Sequence, residues 1–279
     1  MRTISTDDIT ATVRNLCIEA CTVLGTDVLN QVRKALEVET SPTGRMVLEK
    51  IIQNAEIASS ENIPLCQDTG MAVVFLEIGQ DVHVNGGLLY DAINEGVRQG
   101  YRDGYLRKST LDPITRQNRG DNTPAVIHPE IVSGAKLKII FAPKGFGSEN
   151  MSRVMMFPPS AGIEGAKDFI VQRVIESGGN PCPPIVVGVG LGGTFEKSAL
   201  IAKKALLRPL GSPNSDSVLD ALEKELLEKI NSTGIGPMGL GGNTTALAVH
   251  INSYPTHIAS LPVAVNIQCH SCRHAEAIL

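Results

Sequence analysis

The chain has 279 residues, of which 42% are apolar, enough to bury a core and too few for several large domains. Its 25 Lys and Arg against 29 Asp and Glu give a formal charge of -4, so nothing draws it generally to nucleic acid or an anionic membrane, and an anionic ligand must be met by local basic residues. The N-terminus carries charges, and no stretch approaches the roughly 20 apolar residues of a membrane span. A cytoplasmic protein is expected, with its six cysteines reduced and some of them free to bind metal.

From Thr6 to Ile63 the pattern is helical. Ile9, Val13, Leu16 and Ala20 recur at steps of three and four behind Ser5 or Thr6 as the helix start, and Met46, Val47, Ile51 and Ala55 repeat the period. Two or three packed helices are predicted. Past Pro64, short apolar runs suit strands: Met71–Leu76, Leu137–Phe141 and Ile185–Val189. Between and after them, Leu88–Tyr105, Gly165–Glu176, Phe195–Leu206 and Ser217–Lys229 carry the helical period. The fold class expected is α/β, a mixed sheet flanked by helices with a helical N-terminal region. One domain over 1–279 is expected, mainly helical over 1–63 and mixed α/β over 64–279.

Cys66, Cys182 and Cys269 each lie where a loop meets a predicted strand, among Gly and Pro that suit a rigid backbone close to a bulky inorganic group. Free cysteine is more often a small buried hydrophobe, and Cys17 and Cys21, four apart on the first helix, fit that role. Cys269 and Cys272 form a C-x-x-C pair, so a closed four-thiolate zinc site with Cys66 and Cys182 is a competing reading. With three ligands instead, one iron of a cubane cluster keeps an open position and acts as a Lewis acid. Gly188–Gly193 spells G-x-G-x-x-G, but the acidic strand end that a dinucleotide fold needs about 20 residues later is replaced by the proline-broken Leu207–Pro213. Its glycines read better as a loop before a helix N-terminus, and the glycine loop Gly234–Asn243 is either a similar device or packing.

Four segments, Pro64–Gly70, Lys144–Arg153, Asn180–Gly193 and Gly236–Arg273, together make the chain resemble the iron-sulfur (class I) fumarases and the alpha subunits of two-subunit fumarases and L-tartrate dehydratases, from about Ser41 onward. The resemblance implies a [4Fe-4S] cluster held by Cys66, Cys182 and Cys269, with Arg273 completing the family's Cys-x-x-x-Arg pattern and Cys272 a bystander. It puts substrate contacts at Gln67, Asp68, Arg107, Gly147 and His257, although Arg107 also suits a solvated helix end and a lone His257 a structural role. Of these, Asp68 and His257 are the candidates for moving protons, and Gln67, Arg107 and Gly147 for binding substrate. The implied activity is the reversible hydration of fumarate to malate, with L-tartrate dehydration or a non-catalytic iron-sulfur or zinc scaffold as alternatives. The segment Gly145–Asn150 looks more like the fumarase version. The sequence stops six residues past Arg273, so a beta subunit carrying the remaining catalytic residues is expected, in an alpha2beta2 assembly that takes a small dicarboxylate.

Overall fold

The computed structural model describes residues 2–279. In chain order the elements are β1 (Arg2–Ser5), α1 (Thr6–Thr22), α2 (Thr26–Val38), α3 (Pro42–Glu61), β2 (Met71–Gly79), β3 (Val82–Asn85) and α4 (Leu89–Asp103). Then come β4 (Val126–Val132), β5 (Leu137–Lys144), the short α5 (Phe146–Glu149), β6 (Arg153–Phe157), α6 (Gly162–Ser177) and β7 (Ile185–Gly192). Last are α7 (Phe195–Ala205), α8 (Ser217–Asn231), β8 (Ala246–Tyr254), β9 (Leu261–Gln268) and β10 (Ala275–Ile278). The chain folds as two compact units. The first takes the residues up to Leu24, Ala55–Phe146 and Arg273–Leu279; the second takes Gly25–Asn54 and Gly147–Cys272.

The first unit is built on a four-stranded sheet ordered β10-β5-β2-β4, in which β2 runs parallel to β4 and β5 runs antiparallel to both its neighbours. β1 and β3 pair separately, in parallel. The Ser5 hydroxyl accepts the Asp8 N–H at 3.0 Å and so caps α1. From that start, the spacing of Ile9, Val13, Leu16, Cys17, Ala20 and Cys21 gives the helix one apolar stripe. The stripe packs with Ile93, Val97 and Tyr101 of α4 and with the same-face residues Ala72, Val74 and Leu76 of β2 in one core.

The second unit has its own four-stranded sheet, ordered β6-β9-β7-β8, with β7 parallel to β8 and β9 antiparallel to β6 and β7. Val187 and Val189 of β7 and Val263, Val265 and Ile267 of β9 pack with Ile170 and Val174 of α6 and Leu226 and Ile230 of α8. The alternate residues of β7, Gly188 and Gly190, meet α7. A Cβ on Gly190 would stand 2.0 Å from the Ser198 carbonyl oxygen and one on Gly188 2.2 Å from that of Ala202. These two glycines therefore lie inside a strand and let a helix approach it, which corrects their reading as part of an anion-binding loop. The Gly234–Asn243 loop also packs. A Cβ on Gly239 would lie 2.6 Å from the Gly179 Cα, and the Met238 N–H donates to the Pro183 carbonyl at 2.8 Å.

Mixed sheets flanked by helices, with helices across the N-terminal region, are the architecture expected from the sequence. The predicted strands and helices all form, with ends moved by a few residues. α3 starts at Pro42 instead of Met46, its first turn capped by the Ser41 hydroxyl on the Gly44 N–H at 3.2 Å. In the second unit, α2 and the start of α3 share a small core of Val32, Ala35, Val47, Leu48 and Ile51. Among the described residues no helix is long and apolar enough to cross a membrane.

Candidate active site

In the first unit the loop between α3 and β2 carries Cys66, Gln67 and Asp68. It has almost no freedom. Its carbonyls at Thr69 and Gly70 both lie within reach of the Tyr101 hydroxyl, at 2.8 and 2.9 Å, and the fully buried Asn122 donates to the Gly70 carbonyl at 3.2 Å. Gly70 itself has φ +79°, and a Cβ there would stand 2.7 Å from the Lys144 amide nitrogen, so only glycine lets β5 come so close. The Asp68 carboxylate accepts the Gly70 N–H at 3.0 Å through one oxygen and the Phe146 N–H at 2.9 Å through the other. Asp68 thus clips its own loop to the end of β5.

On this scaffold Cys66 is half-buried and its thiol lies 3.4 Å from the Gln67 amide oxygen. Arg107 is exposed, and its carbonyl accepts the Thr69 hydroxyl at 3.0 Å, which ties the arginine's loop to the cysteine's. The structure therefore brings Cys66, Gln67, Asp68 and Arg107 onto two joined loops. Asn122 fixes the second loop too, taking the Ser109 and Thr110 N–H groups on its side-chain oxygen at 2.7 and 3.1 Å. Sequence reasoning missed Tyr101 and Asn122. For Asn122 a signal exists, a Gly-Asp-Asn-Thr-Pro run in which Asn takes the left-handed conformation, φ 60°.

Arg273 belongs to the same unit. Its side chain is buried, and Nη2 donates to the Asp68 carbonyl. Nε and Nη1 are buried with no hydrogen-bond partner. An unpaired guanidinium is an unusual thing to find in a protein interior, and it marks a place that suits an anion.

In the second unit Cys182 is exposed and Cys269 half-buried. Cys182 takes φ +56°, a conformation that costs a side-chain-bearing residue about 1 kcal/mol or more. Its carbonyl receives the His270 N–H at 3.4 Å and lies 3.1 Å from the His270 ring Nδ1, so the residue after Cys269 is bonded to Cys182. Gly147 is also near: a Cβ added to it would meet the Asn180 carbonyl oxygen at 3.7 Å, ordinary contact. The Ser148 hydroxyl reaches the Gln268 side chain at 3.2 Å, next to Cys269. Asn266 donates to Glu149 at 2.7 Å, and Glu149 is paired with Lys203 of α7. The unit therefore gathers Gly147, Cys182 and Cys269. His257 sits exposed on the loop between β8 and β9, its Nδ1 accepting the Ala259 N–H at 3.2 Å; in the neutral ring the proton is then on Nε2.

The six cysteines form no disulfide and divide into two sets. Cys17, Cys21 and Cys272 are buried, while Cys66, Cys182 and Cys269 are accessible in loops. The Cys272 thiol points at the Leu206 carbonyl, 3.7 Å away, as a packed thiol does. Among the described residues no three His, Cys, Asp or Glu side chains form a group that holds a single metal ion. A cubane asks for something else, since each of its thiolates binds a different iron. The first unit offers an accessible thiol and a buried guanidinium with unmet donors, and the second two accessible thiols, donor chemistry that such a group takes, whereas the packed Cys272 does not suit a four-thiolate zinc site.

Comparison with known proteins agrees with this chemistry. The fumarate hydratase (Fumerase) family matches residues 10–278. The chain is 45% identical over 263 residues to the "Putative L(+)-tartrate dehydratase subunit alpha" of Methanocaldococcus jannaschii, covering 92% of each. It is 31% identical over 277 residues to the L(+)-tartrate dehydratase subunit alpha of Escherichia coli K12, covering 97% of this chain and 90% of the relative. For the protein of the same name from E. coli UTI89 the identity is 32% over 267 residues. On a match that spans nearly its whole length, the chain belongs to the fumarate hydratase (Fumerase) family.

Proposed function

We propose that this chain is the alpha subunit of an iron-sulfur hydro-lyase that interconverts a 2-hydroxy dicarboxylic acid and its unsaturated product, with malate and fumarate as the pair, and that it works with a beta subunit in an alpha2beta2 assembly. The observation that carries the reading is the division of the cysteines: the three that match the family's cluster ligands, Cys66, Cys182 and Cys269, are the accessible ones. When bound, a [4Fe-4S] cluster on three thiolates supplies an open iron that acts as a Lewis acid toward the substrate hydroxyl.

Dehydration breaks a C–H and a C–O bond, and the hydroxide leaves with a proton as water. Arg107, exposed on a loop fixed to Thr69, holds one carboxylate through its planar fork. Gly147, with no side chain, lets the other end of the substrate, or the charge that develops on it, come close to the backbone. Gln67, whose amide lies against the Cys66 thiol, orients the oxygen that leaves. With Nδ1 accepting from Ala259, the neutral His257 ring presents its Nε2–H as a hydrogen-bond donor to the leaving hydroxyl. Asp68 holds the loop and offers its remaining lone pairs to protons near Cys66. The base for the carbon-bound proton comes from the beta subunit.

A second reading, L-tartrate dehydration, is favoured by the names of the relatives; against it stands the fumarase-like segment Gly145–Asn150. The deciding experiment is an anaerobic assay of the reconstituted alpha/beta complex with malate, fumarate and both tartrate enantiomers. Turnover of malate and fumarate is expected. Turnover of L-tartrate alone would transfer the chain to the second reading, and turnover of none of the four would end both.

A further inference from the structure

Arg273 is 5% exposed, and one of its three guanidinium nitrogens, Nη2, has a partner, the Asp68 carbonyl. Nε and Nη1 have none, which leaves three of the group's five N–H donors unused. Of its titratable neighbours Cys21, Tyr101 and Asp68, only the Asp68 carboxylate carries opposite charge, and it makes no hydrogen bond to the guanidinium. Burial pushes the Cys21 thiol up to about 11 even with Arg273 beside it, and burial likewise raises the Tyr101 phenol well above its ordinary range; at neutral pH both are uncharged. The Asp68 carboxylate, its two oxygens turned to the Gly70 and Phe146 N–H groups, offsets part of the charge and leaves those three donors unmet. A buried charge in this condition is normally completed by an anion.

We propose that Arg273 is the positioning residue of the cluster site: it presets the Cys66–Gln67–Asp68 loop through the Asp68 carbonyl and supplies the buried positive charge that the anionic, thiolate-bound cluster on Cys66 completes. This rests on the functional reading above and adds an electrostatic partner to its three thiolates. A cubane held by three thiolates carries net negative charge and presents sulfides that accept N–H donors, so one ligand meets the unused donors and the guanidinium's charge. The preset loop also explains why the carbonyl at Asp68 is the acceptor: the arginine fixes the backbone two residues from the first cysteine before any iron arrives.

The test compares wild type, Arg273→Met and Arg273→Lys in the full chain co-purified with its beta subunit, with and without anaerobic reconstitution by iron and sulfide. Three quantities are read: the rise in Tm on reconstitution, the midpoint potential of the cluster, and KM. Arg273→Met is expected to lose most of the cluster-dependent rise in Tm and to shift the potential to more negative values, because removing a positive charge disfavours reduction. Arg273→Lys is expected to restore both in large part. Failure of Arg273→Met to hold any cluster, with Arg273→Lys holding one, also supports the proposal. Should Arg273→Met not fold, Arg273→Gln takes its place, keeping donors and losing the charge. An unchanged rise in Tm and unchanged potential in the neutral variant overturn the proposal, as does a change confined to KM, which would make Arg273 a substrate ligand. If wild type itself takes up no cluster, the iron-sulfur reading of the chain fails first, and that result is seen before any variant is compared.

Discussion

A thiol that packs and a thiol that waits for a metal differ in what surrounds the sulfur. The Cys272 side chain is 3% exposed and already turned toward the Leu206 carbonyl, whereas Cys182 stands exposed in a backbone conformation that costs energy to hold. Cys272→Ala is therefore expected to keep full iron content and to lose about 1 kcal/mol of stability. Cys66→Ser, Cys182→Ser and Cys269→Ser should each lose the cluster, as followed by iron analysis and visible absorbance. Retention of a full cluster by any one of the three would remove that residue from the ligand set. His250 shows the same logic for a proton. Burial, with Arg208 nearby, pushes its imidazole down from 6.5 to about 4, and the side chain is 2% exposed. The folded chain thus refuses a proton that the unfolded chain takes up near 6.5, so the unfolded state binds more protons between those values. The stabilisation is complete above pH 6.5 and is lost as pH falls toward 4. Urea unfolding at pH 7 and pH 5 should show wild type losing roughly 2 kcal/mol more than His250→Leu over that interval.

Elements carry the second level of the design, and here one buried carboxylate holds several together. Glu39, at the end of α2 and 3% exposed, accepts the Thr40 and Ser41 N–H groups at 2.9 Å each, and those of Asn243 and Thr244 at 2.8 and 3.2 Å. It therefore caps the turn into α3 and pins the glycine loop that packs under Gly179, three residues before Cys182. Glu39→Ala should cost about 3 kcal/mol, since several N–H donors lose their acceptor at once, and chemical denaturation should detect it at once, whereas Gly147→Ala, with ordinary contact at 3.7 Å, should leave stability unchanged and lower activity. Such long-range ties mark the limit of what the sequence tells. α1 was legible because its apolar residues recur at helical spacing behind a serine cap, and β2 because six apolar residues, Met71–Leu76, run together after a glycine. Glu39 was not legible. Its partners Asn243 and Thr244 lie more than 200 residues away, and nothing local separates it from the exposed glutamates around it. Gly188 and Gly190 were read as loop for the same reason: a glycine that opens space for a packed helix and one that shapes a loop look alike until the helix is placed. The cysteine loops were legible through their unusual company of Gly and Pro, whereas the burial of Arg273 and the roles of Tyr101 and Asn122 depend on the packed unit.

At the scale of the whole molecule the question is whether this chain can carry the reaction by itself, and proton bookkeeping argues that it cannot. Removing a carbon-bound proton requires a base whose lone pair is free and directed at that carbon. The two candidates for moving protons in this chain are both committed. The Asp68 oxygens each accept a backbone N–H that holds the Cys66 loop against β5, so the lone pairs left over point where those two bonds fix them and cannot be turned to a substrate carbon without giving both bonds up. The His257 Nδ1 accepts from Ala259, which leaves Nε2 of the neutral ring a hydrogen-bond donor and not a base. The relatives are named as alpha subunits, in keeping with a base supplied by a second polypeptide. The chain reconstituted alone under anaerobic conditions should therefore reach the same iron content as the alpha/beta complex and yet turn over malate at least about 100-fold more slowly, the usual scale of a missing general base. It should also fail to exchange the carbon-bound proton of malate with deuterated solvent, a readout that isolates this step from loss of the hydroxide. Exchange at the rate of the full complex would place the base within this chain, and Asp68 would then be the residue to replace first.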